Sequence, residues 1–160
     1  MSLDLNYRAA LWRGRDPKPI IEPLARGADL VIGNAAALQA MLGIDAPDGQ
    51  LAERVARELG CRYVAVTQRD SIAARTQRWS AVLYDATEDR CATSSPLEVS
   101  VVDRVGGGDC FAAALIARLL GGATPAAALE FAVAASALKI TLPGDFSRLS
   151  VADVEKWQRR

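Results

Sequence analysis

The apolar positions of this chain come in two rhythms. Compact or alternating runs predict strands over 3–7 (LDLNY), 29–33 (DLVIG), 62–67 (RYVAVT) and 97–103 (LEVSVVD), the last running straight into a row of glycines. SIAAR (71–75) and RWSAVLYD (78–85) alternate in character and predict a β-hairpin. Elsewhere the apolar residues recur at helical steps. Pro17 and Pro19 lead into IIEPLARG, a short helix or helical turn closed by Gly27. Asn34 is placed to cap the helix AAALQAML, which Gly43 ends. After a Pro/Asp/Gly turn at 47–49, Leu51, Val55 and Leu59 mark one face of a helix over 50–60. A helix over 109–120 is broken by Gly121 and Gly122, and Thr124-Pro125 opens another through about Ile140. Val151, Val154 and Trp157 mark a last helix from Ser150 to near Arg160, while the polar residues 86–95 predict a loop.

Strands alternating with helices predict an α/β architecture with a mostly parallel sheet, in which ligands gather where strands end and helices begin. The length of 160 residues suits one domain, and 51% hydrophobic with 24% charged residues is a globular balance. Lys plus Arg and Asp plus Glu are 19 each, so bulk charge exerts no pull toward nucleic acid or an anionic membrane. No apolar run approaches a membrane span, and no signal-peptide pattern opens the chain. Cys61, Cys91 and Cys110 lie far apart without a CxxC pair, which argues against a disulfide framework or a zinc site and for a cytoplasmic setting. The chain has no histidine, so acid–base chemistry falls to Asp, Glu, Lys, Tyr or Cys.

The stretch DRVGGGDCFAAAL (103–115) puts Gly106, Gly107, Gly108 and Asp109 at the mouth of an alanine-rich helix. Consecutive glycines are conformationally costly, so their bare backbone asks for a reason. A helix N-terminus offers unpaired N–H groups to an anion, and a first-turn aspartate can take a proton from an attacking hydroxyl. Two readings stand: a phosphoryl-transfer centre, or a flexible turn with an aspartate cap. The motif is not a Walker A loop, and Phe111 stands where a dinucleotide fingerprint needs its last glycine.

VDRVGGGDCFAAALI resembles the C-terminal signature of the ribokinase-like (PfkB) sugar kinases, and its Asp-Arg-Val-Gly-Gly-Gly-Asp form is similar to that of 2-keto-3-deoxygluconate kinases. DLNYRAALW (4–12), RWSAVLYD (78–85) and AVAASALKITLPGDF (132–146) extend the resemblance over nearly the whole chain. It implies a ribokinase-like three-layer α/β/α fold and the phosphorylation of a sugar acid, with ATP and Mg2+ as cofactors. By that resemblance Asp109 is the base for the primary hydroxyl, and Gly106 to Gly108 form the anion hole. Asp103 falls near the phosphates and magnesium, and Arg8 faces the substrate's acidic end, where a guanidinium can bind a carboxylate bidentately. Asn34, Thr67, Arg69 and Ser71 are nucleotide-contact candidates, with Asn34 equally a plain helix cap and the other three equally a hairpin approach. Where the family shows a glutamate three residues after Asn34, this chain has Ala37. Asp145 is a candidate near the substrate, the helix 126–138 is a candidate adenine-pocket wall, and Cys110 reads as a small packing residue.

Family members carry a further N-terminal half with a β lid, so residues 1–160 read as the nucleotide-binding half of a kinase. A shortened chain is expected to phosphorylate weakly or not at all. It is also expected to form a homo-oligomer, or to pair with the missing half, through an open sheet edge and uncovered apolar surface. The alternatives are a non-catalytic nucleotide-binding or interaction module derived from a kinase, and a ribokinase- or fructokinase-like enzyme.

Overall fold

Backbone pairing, more than hydrophobic pattern, sets the extent of the strands in the computed structural model, which describes residues 1–47 and 49–159. Asp48, inside the expected Pro/Asp/Gly turn, and Arg160, at the end of the last expected helix, lie outside the described residues. The chain divides into two compact units.

The first unit holds Met1–Thr67 and Val82–Ala92. In it β1 (Ser2–Asp4), β2 (Leu30–Asn34) and the first part of β3 (Tyr63–Ala73) run parallel, with Leu3 opposite Val31 and Val31 opposite Val64. Helices α1 (Ala9–Trp12), α2 (Lys18–Arg26), α3 (Ala35–Leu42) and α4 (Leu51–Leu59) connect them. Leu38, Leu42, Val55 and Leu59 bury against Val31 and Val64, each fully buried aliphatic side chain contributing about 1.5–3 kcal/mol. The four-residue step from Leu51 through Val55 to Leu59 does become the buried face of α4. The first strand is shorter than its alternation predicts. After Leu5 N–H reaches the Ile32 carbonyl, Asn6 and Tyr7 donate to carbonyls two residues back and turn the chain away. The short α1 went unpredicted, since its four residues are too few to show a helical period and none of them is buried.

The second unit holds Gln68–Ala81 and the chain from Thr93 onward. Here the rest of β3 and the first part of β4 (Thr76–Asp85) form the expected hairpin around Ala74 and Arg75. Residues 67–71 (TQRDS), which link the expected strand over 62–67 to the hairpin, continue β3 without a break, because pairing with a neighbouring strand satisfies their backbone whatever their side chains. The expected loop 86–95, most of it in the first unit, contains β5 (Arg90–Thr93) for the same reason, next to β4 in the strand order. β6 (Leu97–Ser100) runs antiparallel to β4, with Leu97 opposite Trp79 and Ser100 opposite Thr76. It stops three residues short of the expected end. Val102 and Asp103 N–H both turn to the Ile140 carbonyl, at 2.9 and 3.1 Å.

Helices α5 (Gly107–Leu120), α6 (Pro125–Lys139) and α7 (Val151–Gln158) complete this unit. Thr124 caps α6 through its hydroxyl, with Pro125 opening the first turn, and Ser150 with Asp153 makes a reciprocal capping box on α7. Phe131, Ala134 and Ala135 of α6 pack with Val154, while Cys110 and Ala114 of α5 lie against that cluster. The small side chains let α5 and α6 lie close together. The fold is the expected ribokinase-like α/β architecture, its sheet mixed: parallel from β1 to β3, antiparallel between β4 and β6. Among the described residues no helix is long and apolar enough to cross a membrane.

Candidate functional site

The glycine row is the hinge between the strand-side loop and α5, and each glycine there has a different surrounding. Gly106 adopts φ +76°, and a Cβ on it would collide with the Asp145 carbonyl oxygen. Gly107 is buried, and a Cβ would stand 2.8 Å from Ile140 Cγ2. Gly108 would meet nothing within 4 Å. The first two glycines are therefore demanded by the chain's own packing, and the third is not.

The turn at Gly106 also changes what the helix can bond. Gly107 N–H lies 3.5 Å from the Arg104 carbonyl and Cys110 N–H 2.9 Å from that of Gly106. Gly108 and Asp109 N–H have no acceptor among the described residues. The Val105 carbonyl, four residues before Asp109, is instead taken by Lys139 Nζ at 2.9 Å. Two N–H groups thus face outward from the positive end of a helix dipole, next to the exposed Asp109.

Asp103 braces this turn from the other side. Its Oδ1 accepts from Val105 N–H and its Oδ2 from Gly144 N–H, each at 3.0 Å. Those two backbone donors, with the Lys139 charge nearby, hold its carboxyl below the usual carboxylate range. Both carboxylate oxygens are engaged within the protein, so the side chain shapes the cradle. Ser136 Oγ donates to the Gly107 carbonyl at 2.8 Å and ties α6 to α5. Gln77, 1% exposed on β4, accepts from Arg104 Nε and Nη2 at 3.2 and 2.9 Å once its amide is turned to face the guanidinium. Cys110 donates weakly to the Ala135 carbonyl, and burial pushes its thiol up, away from a reactive thiolate.

Of the residues singled out from sequence, the structure brings Asp103, Gly106, Gly107, Gly108 and Asp109 together, with the Asp145 backbone seated on Gly106. Arg69 and Ser71 lie two apart, and so on one face, along the exposed outer part of β3. In the first unit, Arg8 follows β1, while Asn34 and Thr67 are cross-strand partners at the ends of β2 and the parallel part of β3. The parallel pairing sets Asn34 beside Thr67 where β2 ends, and Arg8 lies four residues beyond the end of β1. Asn34 Oδ1 accepts from Ala37 N–H at 2.8 Å, so it is a helix cap with only its amide NH2 to spare. Thr67 Oγ1 makes a long contact, 3.5 Å, to the Gly33 carbonyl. Lys139, Ser136 and Gln77 escaped the sequence reading. Lys139 did carry a signal, as the lone charge in the apolar stretch FAVAASALKITL.

The residues fit a phosphoryl group: the space left open at Gly108, two free N–H donors and a neighbouring carboxylate suit an anion and its proton transfer. Among the described residues no group of three or more His, Cys, Asp or Glu is placed to hold a metal ion by itself. The donor set suits a magnesium ion held largely by nucleotide phosphates, with one or two carboxylates at most.

The sequence model of the pfkB family carbohydrate kinases matches residues 1–150. The chain is 29% identical over 155 residues to a 2-dehydro-3-deoxygalactonokinase of Haloferax volcanii, covering 97% of this chain and 46% of that protein. It is 32% identical over 146 residues to a 2-dehydro-3-deoxygluconokinase of Thermoproteus tenax, covering 90% and 41%. The crystal structure of a 2-dehydro-3-deoxygluconokinase from Thermotoga maritima superimposes with a TM-score of 0.92 at 37% identity, over 99% of this chain and 50% of that one. The chain spans less than half the length of the two curated relatives.

Proposed function

The chain belongs to the pfkB family of carbohydrate kinases, and from that premise we propose that it phosphorylates the primary hydroxyl of a 2-keto-3-deoxy sugar acid, 2-keto-3-deoxygluconate first among them, using ATP and Mg2+. The observation that carries this reading is the pair of unpartnered N–H groups at Gly108 and Asp109 beside an exposed carboxylate. Bound MgATP supplies the γ-phosphoryl group and the divalent charge that screens it. Asp109 takes the hydroxyl proton as the sugar oxygen bonds to phosphorus and ADP leaves, a role contributing about 10²–10⁴-fold. In the anion hole of the Gly106–Gly108 turn, the unpaired N–H groups of Gly108 and Asp109 donate to the charged oxygens, an interaction of about 10²–10³-fold per donor. Arg8 holds the sugar-acid carboxylate, and Asp145 stands near the substrate. Asn34 offers its spare amide, with Thr67, Arg69 and Ser71, to the nucleotide. The names of the curated relatives support the substrate class and leave gluconate and galactonate forms both in view.

An ADP-release assay on this chain, with both 2-keto-3-deoxy sugar acids, tests the reading. In a chain that spans less than half its relatives' length the turnover is expected to be weak at most, and whatever turnover is present should fall by about 10²-fold or more in Asp109→Ala with ATP binding kept. ATP binding without any turnover in the unmutated chain would instead favour a non-catalytic nucleotide-binding module.

Association with a second copy is part of the same proposal. β1 stands at the end of the strand order, and Tyr7, Leu11, Ile20 and Leu24 of the first unit are exposed. A reducing cytoplasm suits the free thiols of Cys61, Cys91 and Cys110.

A further inference from the structure

Lys139 is fully buried, and a buried ammonium is costly unless its protons are taken. It ends α6, the last residue of a helix whose other buried positions are apolar apart from Ser136. Its Nζ donates to the Val105 carbonyl at 2.9 Å and to the Gly144 carbonyl at 2.6 Å. Those two carbonyls belong to the two segments that make the cradle: the loop ahead of the glycines, and the turn whose Asp145 carbonyl faces Gly106. Asp103 crosses the same gap in the opposite sense, accepting from the N–H groups of Val105 and Gly144. Each segment is thereby held twice, by its carbonyl to an ammonium and by its N–H to a carboxylate. A methyl-terminated side chain of similar length would fill the space but leave two carbonyls without a donor.

We propose that Lys139 is a positioning residue for phosphoryl transfer: its ammonium locks Val105 and Gly144 so that Gly108 and Asp109 N–H point outward, unpaired, toward the transferring group. Three consequences of the geometry support this. Lys139 occupies the Val105 carbonyl, which would otherwise offer a fourth-residue acceptor to Asp109 N–H. Its Cε lies 3.5 Å from where a Cβ of Gly106 would stand, so the charge sits directly behind the glycine turn. It also sets an ammonium, opposite the Asp103 carboxylate that spans the same two segments, behind the positive end of the α5 dipole. Lys139 touches no reacting atom in this scheme and acts through the backbone that does.

The inference rests on the kinase reading for its catalytic consequence, and the experiment separates the two. Amide hydrogen exchange on Lys139→Met should show faster exchange across 104–109 and 143–146, with other segments unchanged. Unaltered exchange there refutes the positioning role, whether or not the chain proves to be a kinase. Absence of both ATP binding and turnover in the unmutated protein refutes the kinase reading and leaves the exchange result to decide Lys139. Where turnover is present, kcat should fall by about 10²-fold in Lys139→Met with KM for the sugar acid within about twofold. An unchanged kcat refutes the role. Lys139→Ala removes three methylenes and the ammonium, so added propylammonium should restore activity severalfold while 1-propanol should not. Equal rescue by both would make Lys139 a space-filler and overturn the proposal. Should Lys139→Met fail to fold, the same comparison on Lys139→Ala refolded with each additive decides between positioning and space-filling.

Discussion

A methyl group added at Gly106 would have to adopt φ +76° and displace the Asp145 backbone, whereas one added at Gly108 would enter open space. The two substitutions should therefore diverge. Gly106→Ala is expected to lose about 1–2 kcal/mol or more, from the left-handed backbone alone, in urea or thermal denaturation. Gly108→Ala is expected to gain up to about 1 kcal/mol, because alanine is the better helix former, while ATP-dependent turnover falls. A Gly108→Ala protein that is both more stable and fully active would remove the anion hole from the proposal. The same residue-scale logic separates the carboxylates. Asp103 spends both oxygens on the Val105 and Gly144 N–H groups, while Asp109 stands exposed at the start of α5. Two aspartates six positions apart in one motif thus differ in what their neighbours donate, and under the proposed function only Asp109 takes the chemical part.

At the scale of elements, the strand ends and helix starts decide where side chains with spare valence collect. β2 hands directly to α3 at Asn34, whose Oδ1 is committed to Ala37 N–H. Asn34→Ala should cost about 1 kcal/mol of stability, and Asn34→Asp, an equally good cap, should cost little. If the amide NH2 also meets a phosphate, Asn34→Asp weakens ATP binding by calorimetry at unchanged stability. Undiminished affinity in Asn34→Asp would leave Asn34 a cap and nothing more. The outer part of β3 shows the opposite balance. Arg69 and Ser71 are exposed on a strand held by backbone pairing, so substitutions there should be tolerated by the fold. The close packing of α5 on α6 gives the site its rigid backing. Ser136 Oγ to the Gly107 carbonyl and Lys139 Nζ to the Val105 carbonyl both run from α6 to the glycine turn.

At the scale of the whole molecule, an end strand and several exposed apolar side chains lead to the expectation of self-association. Light scattering from low to high micromolar concentration should show a dimer or larger species, and a strictly monomeric chain across that range would overturn it. How much of this was legible beforehand follows a physical division. Period and punctuation determined the helices well: the cap at Asn34, the apolar step along α4, Thr124-Pro125 and the glycine stops are local, needing only the backbone's own geometry. The row GGGD marked the start of α5 for the same reason. Strand extents were not local. TQRDS and residues 90–93 became strands because partners in the tertiary structure satisfied their backbones, and the strand after Pro96 ended early because the Ile140 carbonyl drew Val102 and Asp103 away. The tertiary structure alone also decided which glycine answers to packing and which is left open, and that a lysine in an alanine-rich helix would be buried against the Val105 carbonyl. Both depend on contacts between residues distant along the chain, Gly106 with Asp145 and Lys139 with Val105, which the order of the amino acids contains but does not display.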